Sequence, residues 1–225
     1  MFIKKAMAIL GFLVLTSLLL FIINKYSTQT NASSAEKAAV HTEIYKGNDH
    51  LSYPTFSDIK GKDLTLINDA IERHMEASYK EAQSLKKEAD QKGEESAYET
   101  SYKVKYNDGK KLSFLIYDYQ FSGGAHGVYT VTSYNYDLND HKRVKLLDVL
   151  SNQAKIENTK NYIISYINEH PEQFYSDLKK SDIRLNQNTA FYFTNSGISI
   201  VFQQYDIAPS AAGNQEIKIP SSYLY

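Results

Sequence analysis

Residues 6–23 (AMAILGFLVLTSLLLFII) contain no charged side chain. A helix of that length, at about 1.5 Å per residue, spans roughly 27 Å, close to the hydrocarbon thickness of a bilayer. Lys4 and Lys5 precede the run and Lys25 follows it, a bias that puts the N-terminus on the cytoplasmic side. A cleaved signal peptide is the rival reading. Its apolar core usually runs about 7–15 residues, with a small-x-small site close behind. Here the first such site, Ser33-Ser34-Ala35, lies well beyond the run. The pattern predicts a single-pass membrane protein. Residues 1–5 would be a cytoplasmic stub, 6–23 a transmembrane anchor, 24–39 a polar extracellular tether, and 40–225 an extracellular domain.

A domain on that side of a membrane is free to use disulfides, yet the chain has no cysteine. Disulfide staples, thiolate metal sites and cysteine nucleophiles are excluded. The domain must rest on its core, and its length suffices for one. Hydrophobic residues at 42% and charged residues at 23% fit a folded body. Lys+Arg 25 against Asp+Glu 26 leaves a net charge of −1, which argues against a nucleic-acid partner. The chain has 19 tyrosines and no tryptophan. Tyrosine favours strands and also supplies rigid, amphipathic contact surface.

Periodicity predicts an α+β domain. A first strand is expected over 40–45, and Tyr53-Pro54-Thr55-Phe56 reads as an extended lead into a helix. Leu64, Ile67, Ala70, Ile71, Met75 and Tyr79 form one apolar stripe, so a long helix is expected over 63–92, with a solvated end after Ala82. Alternation from Tyr98 to Tyr106, a turn at Asn107-Asp108-Gly109 and an apolar run over 112–121 read as a hairpin with a central strand. A third strand (128–136) and a fourth (143–146) follow. Ile156, Ile163, Ile164 and Ile167 predict a helix over 154–169 that stops before Pro171, with a short helix at 174–178. A hairpin around Asn195-Ser196-Gly197 and a last strand over 216–219 end the chain. The expected architecture is an antiparallel meander with the long N-terminal helix and a second helix packed on one face.

Two loops stand out. In Ser122-Gly123-Gly124-Ala125-His126-Gly127, Gly123 and Gly124 free the backbone N–H groups to point outward as an anion or ligand nest, and His126 can donate, accept or ligate. The plainer reading is a wide hairpin whose histidine bonds its own loop. In the second loop, residues 205–213, Pro209 and Gly213 constrain small residues beside Tyr205 and Asp206. It is either a crossover or a flat contact surface. Catalytic signatures are poor. There is no HExxH, GxSxG, P-loop or GxGxxG. The Ser-x-x-Lys matches at Ser84 and Ser176 lie in polar stretches where chance matches are common. A zinc set of His41, Asp49 and His50 lacks a rigid frame. No catalytic residue, metal ligand or cofactor is assigned.

Tyr53-Pro54-Thr55-Phe56, the hairpin over 102–113, Tyr119 with the SGGAHG turn, the YNYDL strand (134–138), FYF (191–193), the F-x-x-Y-x-IAP-x-AAG loop (202–213) and IP-x-S (219–222) together resemble an exported family. It occurs as the lysozyme-binding extracellular domain of RsiV-type anti-sigma factors and as the non-catalytic N-terminal domain of PdaC-type peptidoglycan deacetylases. The resemblance implies a Gram-positive cell surface and a ligand that is a lysozyme-like protein or peptidoglycan. Five residues before the anchor cannot cover a sigma factor, since stable interfaces take about 20–30 residues a side. No sigma-factor partner is expected. No deacetylase motif follows the domain, and related loops carry an aromatic where this chain has Ser210. The expected function is therefore a membrane-anchored, non-catalytic binding module. The alternative is a wall-modifying deacetylase or hydrolase using His126 with Asp118 or Asp206, or an accessory subunit of one.

Overall fold

The computed structural model describes residues 36–224. The expected anchor over 6–23 lies outside the described residues. Among the described residues no helix is long and apolar enough to cross a membrane.

β1 (Ala39–Ile44) and β2 (Ser52–Ser57) form an antiparallel ribbon. The Tyr53 to Phe56 stretch is thus a strand, and Pro54 is tolerated because the ribbon has only two strands. Helix α1 (Gly61–Lys92) follows and ends at Gly93, whose φ of 66° is the left-handed cap that favours glycine. Ile67, Ala70, Ile71 and Met75 are buried on the expected stripe. The end after Ala82 is less solvated than its charge suggests, because Leu85 and Ala89 remain buried.

β3 (Ala97–Asn107), β4 (Lys111–Phe121), β5 (Val128–Asp137) and β6 (Lys142–Arg143) form a four-stranded meander. Gly109 takes φ 81° in the expected turn. The fourth strand is only two residues long, because a one-turn helix α2 (Leu146–Val149) starts where it was expected to continue. Leu112, Phe114, Ile116, Tyr134 and Tyr136 share one core with Ile67, Ile71 and Met75 of α1. Each such fully buried aliphatic side chain contributes about 1.5–3 kcal/mol relative to exposure.

The second helix does not sit on that sheet. α3 (Gln153–Glu169) starts at Asn152, whose Oδ1 accepts the Lys155 N–H at 2.9 Å. Its Ile163 and Ile167 share a second core with Phe191, Ile198, Ile200, Ile217 and Ile219. These residues come from a separate three-stranded sheet of β7 (Ala190–Thr194), β8 (Gly197–Val201) and β9 (Glu216–Pro220). The single meander of the sequence reading is therefore two sheets, each with its own helix, beside the β1–β2 ribbon.

Buried polar side chains join the two sheets. Asn135 Nδ2 donates to Phe191 O at 2.8 Å, the Phe193 N–H donates to Ser113 Oγ at 3.0 Å, and the Phe191 N–H donates to Ser133 Oγ at 3.2 Å. Ser113 Oγ in turn donates to Asn135 Oδ1 at 2.6 Å. These bonds satisfy the outer edge of β7, which would otherwise be buried without partners. The short helix expected at 174–178 is absent. Phe174 is buried, and the Tyr175 N–H donates to Ile207 O at 3.0 Å instead of to a helical turn.

Candidate binding surface

Burial along β4 is complete from Leu112 to Ile116 and relaxes from Tyr119 onward, and β5 begins with three exposed residues. The tip of the β4–β5 hairpin thus extends past the core. Residues 122–127 close it. Gly123 and Gly124 take φ of 90° and 96°, values reserved for glycine. Gly127 is required for space: a Cβ there would lie 2.5 Å from Gln120 O and 2.5 Å from the Tyr119 ring. That ring stacks at a tilt on Tyr129, 4.9 Å between centroids. His126 is exposed, with Nδ1 3.3 Å from the carbonyl oxygen of Gly127. It rests on its own loop, as the plainer reading expected.

The second loop lies beside the first, because two glutamines replace a missing strand. Gln203 Oε1 accepts the Val131 N–H at 2.8 Å while its Nε2 donates to Val131 O at 2.8 Å. Gln204 Oε1 accepts the Tyr129 N–H at 2.7 Å. The side-chain amides thus pair with the free edge of β5, two residues beyond Gly127. Ile207 and Ala208 are buried and root the loop. After Pro209 the chain makes a 3-10 turn (Ser210–Ala212) and leaves through Gly213 at φ 68°. Asp206 Oδ2 accepts the Gln203 N–H at 2.9 Å.

Tyr205 is held at φ 68°, a conformation that costs a non-glycine residue about 1–2 kcal/mol. Tyr205 is 48% exposed, and Val128 and Tyr129 are 43% and 42% exposed. These are three of the six exposed large hydrophobic residues among the described ones. The structure therefore brings Tyr129, three residues beyond His126, together with Gln203 and Gln204 and so with the neighbouring Tyr205, while Pro209 and Gly213 shape the same loop further on; Val128 points to the other face of the strand. Val128, Tyr129 and the two glutamines were missed from sequence. Only the pairing of Gln203 and Gln204 with β5 reveals them.

On the opposite face of this hairpin, Tyr98, Asp118, Gln120, Ser122, Val128 and Thr130 line a shallow depression of about 360 Å³. Asp118 is buried and fully engaged. Ser78 Oγ donates to its Oδ1 at 2.7 Å, Tyr98 Oη donates to it at 3.0 Å, and His74 Nε2 lies 3.0 Å from its Oδ2. The Tyr134 hydroxyl is 2.9 Å from His74 Nδ1. Burial alone would raise the Asp118 carboxyl. The hydrogen bond and charge of His74, with the bonds from Ser78 and Tyr98, outweigh it and hold the group below its ordinary value. Burial pushes the Tyr134 hydroxyl up to about 12, against the pull of Arg143.

Such a carboxylate is a poor proton acceptor near neutral pH. The catalytic pairing weighed from sequence does not form. Asp118 is bound to His74 rather than His126, and Asp206 caps the backbone of Gln203. His50 lies 3.6 Å from Glu99, and among the described residues no three His, Asp or Glu side chains gather as metal ligands.

Two family models match the chain. Residues 39–129 match the one described as Deacetylase PdaC, and residues 137–222 match the one described as Protein of unknown function (DUF3298). The first match ends near the start of β5 and the second begins at its end. It is 24% identical over 215 residues to the peptidoglycan-N-acetylmuramic acid deacetylase PdaC of Bacillus subtilis (strain 168). That alignment covers 90% of this chain but 44% of the relative, so the chain spans less than half of that protein's length. A crystal structure of a DUF3298-family member from Bacteroides fragilis matches with a TM-score of 0.53 at 17% identity, covering 83% of this chain and 90% of that one. One from Pseudomonas aeruginosa PAO1 matches with a TM-score of 0.55 at 18% identity, covering 84% and 91%. These likenesses show that the fold is shared.

Proposed function

We propose that this chain is a cell-envelope binding module, anchored through residues 6–23 with its folded domain outside, that recognises a lysozyme-like protein through the hairpin tip and the 203–213 loop. The observation that carries this reading is the exposed pair Tyr129, on a rigid hairpin, and Tyr205, on the loop that Gln204 ties to it, with Tyr205 in a costly backbone conformation. Rigid aromatics at loop tips are the usual anchors of protein recognition. Strain at an exposed residue is retained where the conformation serves contact rather than stability. The exposed hairpin tip extends past the core, which suits a protein partner with a cleft. Exposed Asp206 complements a basic partner of the lysozyme kind. The resemblance to lysozyme-binding sensor domains supports the same partner.

Peptidoglycan is the second reading. It is favoured by the PdaC segment, whose relative is named for acting on a peptidoglycan sugar. The full chain immobilised and exposed separately to lysozyme and to soluble peptidoglycan fragments separates the two. Retention of lysozyme is expected. Retention of fragments alone would support the second reading. Release of acetate or sugar from peptidoglycan by the chain would return the enzyme alternative.

A further inference from the structure

A second concavity lies at the opposite end of the β3–β4 hairpin. Its volume is about 530 Å³, and the β3–β4 turn, the β7–β8 turn, the start of α3 and the turn after β9 supply its walls. Lys110, Lys111 and Lys155 line it. Among the described residues none of the three has a carboxylate within 4.0 Å. The acidic side chain in the lining, Asp108, is already engaged. Its Oδ1 accepts the N–H groups of Lys110 and Lys111 at 2.9 and 2.7 Å, and its Oδ2 accepts the Tyr106 hydroxyl at 3.0 Å. Lys111 Nζ sits 4.6 Å from the centroid of the Phe193 ring, which positions the ammonium without neutralising it.

The walls are fixed in place. The Leu138 N–H donates to Lys110 O at 2.8 Å, and the Ser221 N–H donates to Ser196 O at 2.7 Å. A Cβ on Gly197 would meet Ile219 O at 2.1 Å, so strands β8 and β9 touch there and close the floor. Asn139, Asn195 and Ser196 add neutral hydrogen-bonding groups to the rim.

We propose that this cleft binds an anionic group carried on a hydroxyl-rich chain, either the phosphodiester of a polyol or the carboxylate of a saccharide. Three ammonium groups against one engaged carboxylate select a negative charge. The amides and hydroxyls of the rim match hydroxyl groups on either side of it. The site shares no residue with the hairpin tip, so it stands or falls independently of the lysozyme reading.

Calorimetric titration of the full chain tests it with three probes: a short glycerol-phosphate oligomer, a disaccharide containing N-acetylmuramic acid, and neutral chitotriose. At least one anionic probe binds saturably at low salt, more weakly as added salt screens the lysines, and chitotriose does not bind. The tighter of the two anions identifies the source. Lys110→Gln with Lys155→Gln weakens that binding about tenfold or more. Lys155→Arg retains it, and Tyr205→Ala leaves it unchanged. Lys110→Glu, on an exposed side chain, gives the same loss should the double variant misfold. Absence of saturable anion binding, equal binding of chitotriose, or wild-type affinity in the lysine variants overturns the proposal.

Discussion

Asp118→Asn tests whether the buried carboxylate under the hairpin serves stability. The carboxylate has Ser78, Tyr98 and His74 within hydrogen-bond distance. Asparagine keeps the shape but removes the charge, and its amide nitrogen must face at least one of these donors. Leaving one of these buried donors without its acceptor costs about 1–3 kcal/mol, and more where the lost acceptor was charged. We expect a loss of about 3 kcal/mol at pH 7, equivalent to a fall in Tm of about 6–12 °C for a domain of this size. The sign of the pH dependence follows from the lowered carboxyl. The Asp118 contribution is complete above the unfolded value of about 3.9 and is lost as pH falls through the lower folded value. Guanidinium unfolding of both proteins at pH 7 and at successive steps below pH 4 supplies the difference. The gap should be wide at pH 7 and close on acidification. A gap under about 1 kcal/mol at neutral pH, or one that does not change below pH 4, refutes the structural role.

Other outcomes follow from the same geometry. Gly127→Ala forces a methyl group against Gln120 O and the Tyr119 ring and should cost about 1–3 kcal/mol by thermal melting. Asn135→Ala leaves Phe191 O and the Ser113 hydroxyl without their partner and should cost about 2–4 kcal/mol in chemical unfolding. Tyr205→Gly relieves the positive φ of an exposed residue and should raise Tm by about 2–4 °C while weakening partner binding; a lowered Tm would show that Tyr205 is a packing residue.

The elements with strong local periodicity were legible in the sequence. The α1 stripe from Ile67 to Met75, the isoleucines of α3, the turn at Gly109 and the paired β7 and β8 all follow from spacing and turn chemistry. The division into two sheets was not legible. It depends on Ser113 and Asn135, polar residues within strands that carry no local signal of a partner, yet are 0% and 1% exposed because they bond the edge of β7. The irregular 174–178 segment is likewise set at long range, by Tyr175 bonding Ile207. At the candidate site, the glycines and Tyr205 stood out by type. Gln203 and Gln204 did not, because a side-chain amide that imitates a strand leaves no local pattern. The pairing of Asp118 with His74 spans 44 positions and carries no motif.

The most direct measurement is the affinity of the full chain for lysozyme, compared between wild type and Tyr205→Ala, with the melting temperature of each recorded on the same samples. The account predicts saturable binding by the wild type and a loss of about 1–2 kcal/mol in the variant, roughly five- to thirtyfold, with the domain still folded. Pro209→Ala with His126→Ala should act in the same direction. No binding by the folded wild type, or equal affinity in folded Tyr205→Ala, would contradict the assignment of the hairpin tip as the recognition surface.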